Sequence, residues 1–89
     1  MKTAEVLIRN KLGLHARAAA KLVQLSSQFT SAISLEKDGE LADAKSIMEV
    51  LMLAGTKDSS VRIKAEGSDE VEALEEIQRL IDNKFEEEE

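Results

Sequence analysis

Eighty-nine residues make one small domain, which buries about 60–65% of its unfolded surface and so folds alone with little surplus. The absence of cysteine and the presence of a single histidine exclude disulfides and a structural zinc site, and a net charge of −6, of which Glu86–Glu89 carry −4, is not the balance of a nucleic-acid binder. The longest apolar run, Val50 to Ala54, is far too short to span a bilayer, and the start Met-Lys-Thr-Ala-Glu-Val lacks the apolar stretch of a signal peptide, so the expected location is the cytoplasm.

Lys2 to Arg9 alternates, with Ala4, Val6 and Ile8 on one face and Thr3, Glu5, Leu7 and Arg9 on the other, the pattern of a half-buried strand. Asn10 to Leu14 reads as a loop, and Gly13 within it suits a bend that needs positive φ. A helix follows from Ala16 to about Gln28, with Ala18, Leu22, Leu25 and Phe29 recurring at helical spacing and alanine and leucine favouring that state. His15 falls at the helix N-cap, with Ala16 and Arg17 in the first turn. Unpaired N–H groups and a partial positive charge at a helix start attract anions. A neutral imidazole is a nucleophile, so bend, histidine, arginine and helix start together describe a place where a phosphoryl group could be held on histidine. A lone histidine in front of a helix is also often a simple polar cap, with Arg17 a solvated first-turn residue, and spacing does not choose between the two.

Ala32 to Glu36 is a second strand with Ile33 and Leu35 inward. Asp38-Gly39 is a strong hairpin signal, and Leu41 to Asp43 a short third strand. Ser46-x-x-Glu49 has the form of a capping box opening a second helix, which Gly55 is placed to end. Val50, Leu51 and Met52 are assigned to the core. Thr56 to Ser59 is turn-like, and Val61, Ile63 and Ala65 alternate with Arg62, Lys64 and Glu66 in a fourth strand. Ser68 is expected to cap a third helix, with Asp69 and Glu70 in its first turn as the dipole prefers and Val71, Leu74, Ile77, Ile81 and Phe85 as its buried stripe. Residues 1–85 form the domain, and 86–89 read as a solvated acidic tail. The order is βαββαβα, an α+β fold. A strand-helix-strand crossover makes the first two strands parallel, and the fourth fits between them, antiparallel to both.

G-L-H-A-R-A-A-A-K-L-V resembles the active-site segment of the histidine-containing phosphocarrier (HPr) family, and A-K-S-I-M-E-V-L-M-L-A, Ala44 to Ala54, resembles that family's regulatory-serine helix. The two stand at the family's usual separation, and the resemblance covers nearly the whole chain. N-K-L-G-L-H-A-R-A-A-A and the V-L-M-L-A ending are most similar to the nitrogen-related branch. The resemblance implies an open-faced sandwich with strand order 1-4-2-3 and three helices on one face. It implies a monomeric phosphocarrier of the phosphoenolpyruvate-dependent phosphotransferase system, which takes a phosphoryl group from Enzyme I and passes it to an EIIA-type protein. His15 matches the accepting position and Arg17 the adjacent arginine that pairs with the phosphoryl oxygens. No metal or other cofactor is implied for the carrier.

Ser46 matches a position that a bifunctional kinase/phosphorylase phosphorylates in the family. A helix start tolerates such a charge, so the fold is expected to survive it. Three residues depart from the common pattern: Ala18 where proline is usual, Leu12 where a small polar residue is frequent, and Glu49 where glycine is frequent. A short helix that is apolar nearly all round cannot bury every side, so Ile47, Met48 and Leu51 are expected to form, with Ala16, an exposed patch beside His15 that meets partner proteins. The competing readings are a regulatory module of the same fold that binds targets without carrying phosphate, and a small ligand-binding α+β domain, for which no pocket signal exists.

Overall fold

The computed structural model describes residues 1–53 and 55–86. Its elements are β1 (Lys2–Leu7), α1 (Ala16–Ser26), β2 (Ala32–Lys37), β3 (Glu40–Asp43), α2 (Ile47–Met52), β4 (Ser60–Glu66) and α3 (Glu70–Asp82), followed by a turn at Lys84–Glu86. One sheet of order β1-β4-β2-β3 runs antiparallel throughout, with Val6 opposite Val61 and Leu35 opposite both Ile63 and Ala42. β4 lies between β1 and β2, so the two strands of the crossover are parallel without being neighbours. The expected βαββαβα order, sheet order and one-sided helix layer are all present. Among the described residues no helix is long and apolar enough to cross a membrane.

Alternation sets the two faces of the sheet. Val6, Ile33, Leu35, Val61, Ile63 and Ala65 point into the helix layer and are buried, while Glu36, Arg62 and Lys64 share the open face, where Lys64 Nζ lies 3.1 Å from Glu36 Oε1. Asp38 and Gly39, with φ of 53° and 85°, make the expected hairpin turn. Ala18, Leu22, Val50, Ala73, Ile77 and Ile81 supply the helix side of the core.

Several local expectations are corrected. Gly55 does not end α2 in a left-handed cap. The C-cap is Leu53 in ordinary helical conformation, and Gly55 has no positive φ. It is a packing residue, since a Cβ there would lie 2.6 Å from Ile8 Cδ1 and 2.9 Å from Leu14 Cδ1. Met52 is not core: α2 turns Val50 inward and leaves Met52 74% exposed and Leu51 half-buried. The third helix is capped by position 69 rather than Ser68, and Asp69 makes no cap hydrogen bond of its own. Its carboxylate instead accepts from Thr30 N (2.9 Å), Ser31 N (3.0 Å) and the Ser31 hydroxyl. It thereby ties the α1–β2 connection to the start of α3. The Ser31 hydroxyl first, and then the Thr30 N–H, hold the Asp69 carboxyl down at about 2. The Gly67 N–H donates to Glu70 Oε1 at 3.0 Å and holds that carboxyl below its ordinary value.

Val71 falls outside the buried stripe at 52% exposed, and Ala73 takes the inward position instead. Phe85 is fully buried, though not as part of the helix. α3 stops at Asp82, and Lys84, Phe85 and Glu86, all with φ between 55° and 64°, form a left-handed turn that folds Phe85 back onto the core. Lys21 Nζ donates to the Phe85 carbonyl at 2.8 Å and lies 3.7 Å from the Glu86 carboxylate, so Glu86 is engaged with α1. The other glutamates of the acidic end, Glu87–Glu89, lie outside the described residues, as does Ala54.

Candidate functional site

The loop between β1 and α1 is built to present one side chain. Gly13 has φ +66°, and its N–H donates to Asn10 O at 3.2 Å. Asn10, fully buried, donates from Nδ2 to Gly13 O at 2.8 Å. The next two residues are pinned from opposite sides: Leu14 N donates to Gly55 O (2.9 Å) while its side chain is buried, and His15 N donates to Gly13 O (2.9 Å). Only glycine fits at 13, because a Cβ would overlap the Gly55 carbonyl oxygen and lie 3.0 Å from Thr56 Cα. The sequence pointed to the bend but not to these two supports. Asn10 carried a readable signal, since asparagine commonly bonds its own turn. The Gly55 carbonyl, forty residues away, carried none.

His15 is the N-cap of α1, with extended backbone (φ −82°, ψ 179°), and its carbonyl accepts the first helical bond from Ala19 N at 2.8 Å. Its ring is half-buried, and Nδ1 accepts the Arg17 N–H at 3.2 Å. The polar-cap reading and the nucleophile reading therefore describe one geometry. A neutral imidazole has one donor and one acceptor nitrogen, so accepting at Nδ1 assigns the proton to Nε2 and turns the Nδ1 lone pair toward the open end of the helix. Arg17 and Ala16 are exposed in the first turn, and Ala18 behind them is fully buried. A guanidinium on a flexible stem at that place can reach an anion attached to the ring.

α2 packs beside α1. Of the expected patch, Ile47 is 40% and Met48 66% exposed and Leu51 is half-buried; Met52, one helical turn beyond Met48, is exposed too. Ser46 is the N-cap of α2, and its Oγ accepts from Glu49 N at 3.3 Å. Only half of the capping box forms: the Glu49 carboxylate does not return to Ser46 N but accepts from Asp43 N at 2.9 Å, and Ser46 N donates to Asp43 O at 3.0 Å.

A family model described as "PTS HPr component phosphorylation site" matches residues 2–83. The chain is 47% identical over 85 residues to the phosphocarrier protein HPr of Cupriavidus necator, covering 96% of each protein. It is 49% identical over 88 residues to that of Treponema pallidum, covering 99% of this chain and 98% of the relative. The crystal structure of HPr-C-His from Thermoanaerobacter tengcongensis superposes with a TM-score of 0.96 at 46% identity over the whole of both chains.

Proposed function

This chain belongs to the HPr family of the phosphotransferase system and is a phosphoryl carrier rather than an independent enzyme; on that premise we propose that His15 carries the phosphoryl group and that Nδ1 is the atom that takes it. The observation that carries the reading is the Arg17 N–H donated to Nδ1 at the head of α1. As Nδ1 bonds to phosphorus, the bond from phosphorus to the donor group of Enzyme I breaks. The phosphoryl oxygens then take over the Arg17 N–H that the ring nitrogen held, and meet the positive end of the helix. Phosphoryl transfer depends mainly on positioning and charge stabilisation. Helix N–H groups and one exposed arginine stabilise the group moderately, which suits a protein that must give it up again to a histidine on an EIIA-type protein.

Ala16, Ile47, Met48 and Leu51 form the surface on which Enzyme I and the EIIA-type acceptor dock in turn, in the cytoplasm. The segments that resemble the nitrogen-related branch make a nitrogen-related EIIA the acceptor to try first. Ser46 occupies the position at which the family's kinase/phosphorylase acts, and its surroundings decide whether that reaction is open to this chain.

The test is incubation with Enzyme I and phosphoenolpyruvate, followed by mass measurement. One acid-labile phosphoryl group is expected on His15 and none on His15→Asn, which keeps a capping acceptor and should remain folded. Undiminished acid-labile labelling of His15→Asn would refute the assignment.

A further inference from the structure

We infer that Asn10 is a positioning residue for phosphoryl transfer: acting through the Gly13 carbonyl, its buried amide holds His15 so that the ring proton stays on Nε2 and the Nδ1 lone pair stays available. The inference rests on reading Nδ1 of His15 as the accepting atom. Asn10 sits where the sheet passes into the histidine loop. Two residues earlier the chain is fixed twice, by Ile8 N donating to Ser59 O at 3.0 Å and Asp58 N donating to Ile8 O at 2.7 Å. Asn10 then bonds Gly13 twice. Its carbonyl accepts the Gly13 N–H at 3.2 Å, and its Nδ2 donates to the Gly13 carbonyl at 2.8 Å. Both residues are buried, while Lys11 and Leu12 between them are exposed at the corner of the turn. A hydrogen bond in the interior is stronger than one in water, so the amide fixes the direction of that carbonyl.

The same carbonyl accepts the His15 N–H at 2.9 Å, with only Leu14 between donor and acceptor residues. A three-residue turn bends its hydrogen bond, so this contact depends on how the carbonyl is aimed. From the other side α1 holds His15 through Ala19 N, which donates to His15 O at 2.8 Å. With its backbone fixed at both ends, the ring meets the Arg17 N–H at 3.2 Å. That distance is at the long end for an N–H donor, and a small rotation at His15 breaks the contact. Once it is broken the ring proton can move to Nδ1, and an Nδ1–H imidazole offers no lone pair at that atom for attack on phosphorus. Leu14 N is held separately by Gly55 O at 2.9 Å, so loss of the Asn10 amide loosens the histidine without detaching the loop.

Two variants separate positioning from packing. Asn10→Ala removes the donor and leaves space; Asn10→Leu removes the donor and keeps a side chain of the same branching. Each is compared with wild type well below its melting temperature, with folding checked by circular dichroism. Nitrogen NMR shifts of the neutral ring should report the Nε2–H tautomer in wild type and a larger share of Nδ1–H in both variants. The rate of His15 labelling from Enzyme I and phosphoenolpyruvate should fall roughly five- to tenfold in both, the worth of one hydrogen bond expressed as a rate. The melting temperatures of the two should differ, because leucine fills what alanine leaves empty. An unchanged tautomer with wild-type labelling in either folded variant would overturn the inference, as would labelling that is lost in Asn10→Ala and recovered in Asn10→Leu, since packing alone would then explain it. If Asn10→Ala does not fold, the tautomer and rate of Asn10→Leu decide. Absence of labelling in wild type would sink the His15 assignment, while a tautomer shift in the variants would still show that Asn10 sets the ring.

Discussion

Gly13→Ala tests whether the histidine loop is held by backbone packing. Two penalties act at this position. An L-residue in the left-handed region costs about 1–2 kcal/mol, and φ here is +66°. A Cβ would also overlap the Gly55 carbonyl oxygen, which is the acceptor for Leu14 N, so Gly55 must shift and that hydrogen bond weakens or breaks. The net worth of such a bond is about 1 kcal/mol. Stiffening of the unfolded chain by alanine returns about 0.4–1 kcal/mol. The balance is a loss of about 2 kcal/mol, or roughly 8–16 °C in melting temperature for a domain of this size. Because Leu14 and His15 follow directly, the rate of phosphate acceptance from Enzyme I should fall as well, even at temperatures where the variant is fully folded. Gly55→Ala is the control: its φ is ordinary and its Cβ would meet the ends of the Ile8 and Leu14 side chains, which can move, so its loss should be smaller. Thermal unfolding by circular dichroism and the initial rate of His15 labelling are the two readouts. A Gly13→Ala protein that melts within about 2 °C of wild type and labels at the wild-type rate would refute the account of the loop.

Arg17→Ala is expected to slow transfer to and from His15 with little change in melting temperature, with Arg17→Lys intermediate because it keeps the charge and loses the planar fork; a wild-type transfer rate in Arg17→Ala removes the guanidinium from the site. Asp69 links stability to acid. Its folded value of about 2 lies below the ordinary 3.8, so its contribution is complete above the unfolded value and disappears as pH falls through about 2. Asp69→Asn should therefore unfold at lower urea than wild type at neutral pH, with the gap narrowing as pH drops from about 4 toward 2, and a constant gap across that range would show that the carboxylate charge is not what secures Thr30 and Ser31. Ser26 is fully buried at the end of α1, and its Oγ has no hydrogen-bond partner among the described residues. Removing an unsatisfied buried hydroxyl is neutral to stabilising, so Ser26→Ala should melt at or above the wild-type temperature, and a clear drop would mean that the hydroxyl is satisfied after all.

The sequence by itself determined what depends on near neighbours in the chain. Alternation in Val6–Ile8, Ile33–Leu35 and Val61–Ala65 located the inward faces of the strands, because a strand's side chains must alternate wherever one face is buried. Asp38-Gly39 specified its turn through the φ values it tolerates. Gly13 before His15, followed by an alanine-rich helix, placed the histidine at a helix start, since that geometry spans only a few residues. Tertiary structure decided what hangs on partners distant in sequence. Asp69 looked like a first-turn acid and became a clamp on Thr30 and Ser31, because those N–H groups arrive from the far end of α1. Gly55 looked like a helix terminator and became the support for Leu14, because β1 and its loop pass over it. Ser46 and Glu49 read as a closed capping box, but β3 brings the Asp43 N–H within reach of the carboxylate, and an unpaired N–H draws it away from its own helix. Met52 and Val71 were hydrophobic enough for the core but are exposed; Val50, assigned there with Met52, is buried, and Ala73 takes the inward place of Val71. Helical periodicity identifies a stripe of candidate residues, but the layer packed against the helix selects which of them it covers.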